Sequence, residues 1–247
     1  MMNRVRRFGF SLFATLAILG FAAQTPAAAA AGERFEVTSL KAVRPILANT
    51  VAALQKHDAA GAKAAFAGYD SAWNGVEVYI STRNPDLYSA IEQNYQAKLT
   101  KELLDTPNPD AAAALPDAQA MLAKFDEAIA MVSKAAPLNP LYDDVARLRI
   151  VRAHLRDVSS ALKAGDIVKA RASFDDFDNK WDSIEDLIKD RSMDAYVGIE
   201  KGMIQIEKGL MPAKPDVSQV TALVTDISTQ YNAVLADIAK DAKAANK

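Results

Sequence analysis

The chain of 247 residues contains no cysteine. This absence excludes disulfides, thiolate metal sites, iron–sulfur clusters and covalently attached haem. There are only two histidines, His57 and His154. Neither has a glutamate three residues before it, so neither completes the Glu-x-x-His pattern of di-iron helical bundles. The sequence therefore predicts no haem and no iron–sulfur cluster.

Acidic and basic residues are nearly balanced, with 31 Asp and Glu against 29 Lys and Arg. The formal net charge is −2, and removal of residues 1–30, which contain three arginines and no acid, would make it −5. Nucleic-acid binding requires a basic surface that neutralises phosphates. The composition therefore predicts no nucleic-acid partner.

Glycine and proline are sparse, at ten residues each, and cluster at a few places. This distribution disfavours a β-sandwich or barrel, which needs a turn every eight to twelve residues or so. Apolar residues instead recur at three- and four-residue spacing, as in the segment that contains Trp73 and the segment that contains Trp181, which is typical of amphipathic helices. The sequence predicts an all-α protein with about eight helices. Their expected ranges are 36–57, 60–82, 85–104, 112–134, 140–164, 167–190, 193–210 and 217–243.

The only long apolar run lies near the N-terminus. Three arginines precede an apolar stretch of sixteen residues, 8–23, and small residues follow around 28–30. A membrane-spanning helix needs about 20 apolar residues, so this stretch is typical of a cleaved export signal. We expect residues 1–30 to be a signal peptide and the remaining chain to be periplasmic or secreted and not membrane-spanning.

The sequence repeats itself at a shift of 108 residues. The matched pairs are Leu54/Leu162, Asp58/Asp166, Phe66/Phe174, Asp70/Asp178, Trp73/Trp181, Glu77/Glu185, Ile80/Ile188, Arg83/Arg191, Asp86/Asp194, Tyr88/Tyr196, Ile91/Ile199 and Glu92/Glu200. Further on the shift becomes 106, where Pro109 meets Pro215, and we expect this change of two residues to lie in a loop. The pattern predicts two antiparallel four-helix repeats, 31–136 and 137–247, which form either separate bundles or one shared bundle.

Repeated acidic residues are the candidate metal ligands. Asp70 and Glu77 border the predicted helix seam at heptad e positions and stand roughly 10 Å apart along the axis, too far to hold one ion alone. If the next helix folds back near Arg83, Glu92 comes level with Glu77. Two facing carboxylates suit a cation that prefers oxygen ligands.

The second repeat offers the same set, Asp178, Glu185 and Glu200. The alternative interpretation is that these glutamates form ion pairs, with Arg83 and Arg191 as the expected partners. The sequence contains no nucleophile elbow, phosphate-binding glycine loop, zinc-peptidase helix or dinucleotide fingerprint. We therefore predict no catalytic residue, no organic cofactor and no enzymatic activity.

The segments 69–92 and 177–200 share a pattern of an aromatic residue, Trp, Val or Ile, Glu, Arg, Asp, Tyr and Ile-Glu. This pattern resembles the extracytoplasmic helical domain of bacterial high-affinity iron permeases of the Ftr type. The chain lacks the membrane helices and the Arg-Glu-Gly-Leu-Glu motifs of those permeases. The resemblance implies an iron-uptake accessory that binds iron or another divalent cation, or docks on a membrane iron permease or other periplasmic protein. The alternative is a helical scaffold or ligand-sensing module without a metal.

Overall fold

The computed structural model describes residues 33–246, and the predicted export signal, 1–30, lies outside the described residues. Within 33–246 the chain is all-α and contains no strand, which confirms the predicted helical bundle. The helices are α1 Phe35–Gln55, α2 Ala59–Phe66, α3 Tyr69–Ser81, α4 residues 85–104, α5 Ala111–Lys134, α6 Leu141–Lys163, α7 Ile167–Trp181, α8 Glu185–Lys189, α9 Met193–Leu210 and α10 Val217–Ala244.

Two of the eight predicted helices are broken, and the breaks fall at different places in the two repeats. The second helix divides at Ala67–Gly68 into α2 and α3, whereas the sixth divides at 182–184 into α7 and α8. At the second break the Ser183 hydroxyl donates to the carbonyl oxygen of Lys180 at 2.6 Å. A serine that bonds the backbone locally competes with the helical ladder, which favours an interruption.

Matched residues cap matched helices. Asp58 accepts a hydrogen bond from a backbone N–H in the first turn of α2, and Asp166 does the same for α7. Asn84 and Ser192 cap α4 and α9 in the same way. The predicted starts of the third and seventh helices, at 85 and 193, are therefore confirmed. The capping side chains satisfy backbone donors that a helix leaves free.

The two repeats share one hydrophobic core. In the first repeat α1 packs on α2 and α5, and in the second α6 packs on α7 and α10 in the corresponding way. The repeats meet where α3 packs on α6, and buried residues of both form one continuous cluster. Gly75 permits this contact, because a Cβ atom there would lie 2.4 Å from Ile150 Cγ1. Of the two arrangements left open by the sequence, the shared bundle is the one observed.

The two tryptophans occupy matching aromatic clusters. Trp73 stacks on Tyr88 with ring centroids 6.0 Å apart and an interplanar angle of 10°. Trp181 stacks on Tyr196 with centroids 6.3 Å apart and an angle of 12°. Both indoles are almost fully buried. Equivalent residues thus have equivalent aromatic neighbours, as a duplicated unit predicts. The repeat limits, 31–136 and 137–247, remain predictions.

None of the helices in the described part of the chain is long and apolar enough to cross a membrane.

Candidate functional site

Two of the predicted acidic residues are held by arginines of the other repeat. Glu77 Oε1 accepts from Arg149 Nη1 at 2.8 Å, and Asp70 Oδ2 accepts from Arg156 Nη2 at 2.5 Å. The two acids of α3 are seven residues apart, and so are the two arginines of α6. The two ion pairs therefore lie side by side across the contact between the repeats. The Glu77 pair is mostly buried, whereas the Asp70 pair is exposed and contributes little stability.

The predicted partners Arg83 and Arg191 are wrong for these glutamates. Arg83 lies beyond the end of α3, and its guanidinium pairs with Glu36 at 2.7 Å. Glu36 is 3% exposed, and a buried carboxylate requires a cationic partner. Arg191 pairs instead with Asp237 and Asp241 of α10.

Glu77 and Glu92 lie on either side of one phenol group. Tyr88 Oη donates to Glu77 Oε2 at 3.5 Å and is also within hydrogen-bonding reach of Glu92. Burial raises the pKa of Tyr88 above its ordinary value, and both carboxylates raise it further. Burial likewise raises the pKa of Glu77, which Arg149 opposes and the charge of Glu92 reinforces. The predicted approach of these two glutamates is therefore present in the first repeat.

Four buried polar atoms around this pair have no hydrogen-bond partner among the described residues. They are Tyr69 Oη, Trp73 Nε1, Glu92 Oε2 and Gln96 Oε1. Tyr69 is 0% exposed, Trp73 1% and Gln96 7%. Each such group costs about 1–3 kcal/mol of stability, and a concentration of them at one place calls for a functional explanation or a bound water or ion.

At the matching place in the second repeat, the polar groups are either replaced by apolar ones or hydrogen-bonded. Trp181 Nε1 donates to Glu200 Oε1. Phe177 stands where the first repeat has Tyr69, so the phenol oxygen is missing. Glu185 begins the short helix α8 after the break at 182–184, whereas its counterpart Glu77 lies inside α3. Asp178 lies half-buried on α7.

The third helices of the two repeats differ in length and in winding. Helix α4 covers 85–104 and α9 covers 193–210, so α4 has two more residues, while the loops that follow both, 105–110 and 211–216, are equally long. Two stretches of α4, Ala90–Gln96 and Thr100–Leu104, are π-helical. A π turn closes with an i→i+5 hydrogen bond and so holds one residue more than an α turn. The expectation that the two extra residues lie in a loop was wrong, because the helix itself absorbs them.

The burial pattern follows this change of winding. In α4 the buried side chains Ile91 and Gln96 are five residues apart, and in α9 Ile199 and Met203 are four residues apart, with Gly202 also buried between them. The next buried side chain follows three residues later in both helices, at Leu99 and at Ile206. Gln96 therefore corresponds to Met203. The first π turn also contains Glu92, and π turns within α-helices often occur at functional sites.

A cation would find oxygen atoms here but no full set of ordinary ligands. Within residues 33–246 no three His, Cys, Asp or Glu side chains converge in a way that could hold a metal ion. The first repeat nevertheless presents a carboxylate oxygen of Glu92, an amide oxygen of Gln96 and a phenol oxygen of Tyr69 without hydrogen-bond partners among the described residues. Oxygen ligands of these kinds suit hard cations. The first repeat therefore has more unpartnered oxygen atoms among the described residues than the second repeat has at the matching positions.

Sequence reasoning did not single out Tyr69, Gln96, Arg149 or Arg156 as parts of this region. Two signals for it were present in the sequence. The repeats differ at Tyr69/Phe177, and the distance from Glu92 to Pro109 exceeds that from Glu200 to Pro215 by two residues. The first difference falls in the segment where the repeats agree best, and the second directly follows that segment.

No protein-family model matches the chain, and its sequence has no significant match among curated proteins. The resemblance to the iron-permease domain therefore depends on the motif residues of 69–92 and 177–200 alone.

Proposed function

We propose that this protein is an exported helical accessory of iron uptake that binds a divalent or ferric cation in its first repeat. The proposal assigns no catalytic step. On this proposal the protein is periplasmic or secreted, and its partner is a membrane iron permease or another extracytoplasmic protein. The resemblance of the motif residues supports the iron-uptake context, and the geometry around Glu92 supports the binding of a cation.

The observation that carries the proposal is the environment of Glu92. Its Oε2 atom is buried without a hydrogen-bond partner among the described residues, although the Tyr88 hydroxyl and Glu77 lie nearby. Glu77 is neutralised by Arg149, whereas Glu92 forms no ion pair within residues 33–246. A buried carboxylate oxygen without compensation is costly unless a cation or proton joins it.

Calorimetric titration of the purified protein with ferrous, ferric, manganous and cupric ions tests the proposal. We expect saturable binding that is lost in Glu92→Gln and weakened in Glu77→Gln, because the first change removes a ligand charge and the second disturbs its neighbour. Glu185→Gln is the matched control in the second repeat and should leave the isotherm unchanged. An absence of saturable heat with all four ions, or binding that survives Glu92→Gln, would contradict the proposal.

The second candidate function is a helical scaffold or ligand-sensing module without a metal. The pairs Arg149–Glu77 and Arg156–Asp70 favour it, because they use two of the predicted ligands to join the repeats. On this alternative, replacement of Glu77 and Arg149 together by Gln and Met would alter the contact between repeats and leave no ion-dependent signal to lose. Thermal unfolding with and without added Mn²⁺ separates the two functions, since only a binding protein is stabilised by its ligand.

A further inference from the structure

We infer that the protein has one cation site rather than two, and that its ligands are the oxygen atoms Tyr69 Oη, Glu92 Oε2 and Gln96 Oε1. This inference rests on the proposed function and extends it by naming a ligand set that includes two residues other than acids. On this inference the acidic residues of the second repeat have a structural role and do not bind a cation.

The three oxygens share one property, which is burial without a hydrogen-bond partner among the residues the structure describes. Tyr69 and Gln96 are themselves more than nine-tenths buried. Isolated cases of this kind are filled by a water molecule. Three oxygens from α3 and one π turn of α4 form a donor set for a hard cation, in which the single carboxylate supplies the charge.

Contacts of neighbouring groups connect this part of α3 with this part of α4. Gln96 Nε2 donates to Asp70 Oδ1 at 3.2 Å, which fixes the amide and leaves its oxygen available. The ring of Tyr69 stacks on Trp73, with centroids 5.9 Å apart. Trp73 in turn stacks on Tyr88, with centroids 6.0 Å apart, and Tyr88 lies four residues before Glu92 on α4. One aromatic stack therefore joins Tyr69 to the part of α4 that carries Glu92.

Each of the three atoms is missing or engaged in the second repeat. Phe177 has no phenol oxygen, and Met203 has a thioether where Gln96 has an amide. Glu200 accepts a hydrogen bond from Trp181. The second repeat therefore has the same scaffold but does not offer these three oxygen atoms to a cation.

Trp73 has a positioning role in this arrangement. Its indole N–H corresponds to that of Trp181, which holds Glu200, yet it has no acceptor among the described residues. When a cation draws the Glu92 carboxylate into the site, Trp73 is the donor that orients it. Groups that orient a metal ligand typically change affinity by about 10–100-fold.

Equilibrium dialysis and calorimetry of the purified protein with Mn²⁺ alone test the inference. We expect one Mn²⁺ per chain. Tyr69→Phe and Gln96→Met, which copy the second repeat, should each weaken binding by at least about tenfold, and Trp73→Phe by about 10–100-fold. Glu200→Gln is the matched control and should leave the affinity unchanged. Circular dichroism and the unfolding temperature of each variant establish that it folds.

The outcomes separate this inference from the function on which it rests. If the wild-type protein binds no Mn²⁺, both are overturned. If Glu92→Gln abolishes binding while Tyr69→Phe and Gln96→Met leave it unchanged, the ligand set is wrong and the proposed function stands. Two ions per chain, or weaker binding in Glu200→Gln, would overturn the single site.

Discussion

The first and second repeats have the same aromatic scaffold but differ in whether the polar groups beside it form hydrogen bonds. Trp73 and Trp181 stack on equivalent tyrosines, but only Trp181 donates a hydrogen bond to the glutamate of the following helix. The second repeat has the arrangement that favours stability, with its buried donor satisfied. The first has several buried polar atoms beside a π turn that find no hydrogen-bond partner in the described part of the chain. A duplicated fold allows one copy to carry this cost while the other supports the shared core.

The largest expected effect comes from removal of the extra residue in the first π turn. Deletion of the exposed Asn94 would leave Ile91 and Gln96 four residues apart, like Ile199 and Met203, and convert 90–96 to an α-helix. We expect the chain to fold, because α9 already shows this winding, and to lose Mn²⁺ binding by about 100-fold or more, since Glu92 and Gln96 change their relative positions. Calorimetry measures the affinity, and circular dichroism measures helix content. Retained affinity with intact helix content would show that the π turn does not matter for the site.

The two tryptophans provide the next comparison. Trp181→Phe removes a hydrogen bond to a carboxylate, whereas Trp73→Phe removes a donor with no partner among the described residues. Both variants lose similar buried ring area, so we expect Trp181→Phe to lower the free energy of unfolding by about 1–3 kcal/mol more than Trp73→Phe. Urea denaturation of the metal-free variants measures the difference. Equal losses would mean that Trp73 has an acceptor after all.

The exchange of Tyr69 and Phe177 should produce effects of opposite sign. Phe177→Tyr places a hydroxyl in an apolar setting and should destabilise the protein by about 1–3 kcal/mol, whereas Tyr69→Phe removes a hydroxyl without a described partner and should be neutral or stabilise by up to about 1 kcal/mol. Urea denaturation without metal measures both values. A clear loss of stability in Tyr69→Phe would indicate that a bound water or other partner satisfies this phenol.

The smallest expected effect is a pH dependence at Glu77. Burial raises the folded-state pKa of this carboxyl above its unfolded value. The folded state therefore favours the protonated form, so its contribution to stability is fully present below the unfolded pKa and declines as pH rises through the folded pKa. Relative to Glu77→Gln, the wild type should lose stability as the pH rises from about 4 through the folded-state pKa of Glu77. The two denaturation curves, measured across this range, would contradict the assignment if they stayed parallel.

Local signals in the sequence predicted most of the fold. Periodic apolar residues and the clustering of glycine and proline locate all eight helices to within a few residues, apart from the interruptions at Ala67–Gly68 and 182–184. These interruptions depend on whether a local bond such as that of Ser183 competes successfully with the helix ladder. Apolar periodicity continues through both breaks and so does not reveal them.

The candidate site was predictable in part. The heptad positions and the hairpin near Arg83 indicated that Glu77 and Glu92 approach each other, and they do so around Tyr88. The partner of Glu77 was not predictable, because Arg149 belongs to the other repeat and becomes a neighbour only when α3 packs on α6. The sequence also suggested that the two repeats are alike at their acids, and the structure shows different surroundings.

The sequence by itself determined the helical class, the absence of thiol chemistry and the matched caps and aromatic residues of the two repeats, because each of these depends on residue type and short-range spacing. Tertiary structure alone decided which arginine neutralises Glu77, where α4 absorbs its two extra residues and which polar atoms have no hydrogen-bond partner within 33–246. These outcomes depend on distances between side chains of different helices, and the packing of those helices within and between the repeats sets those distances.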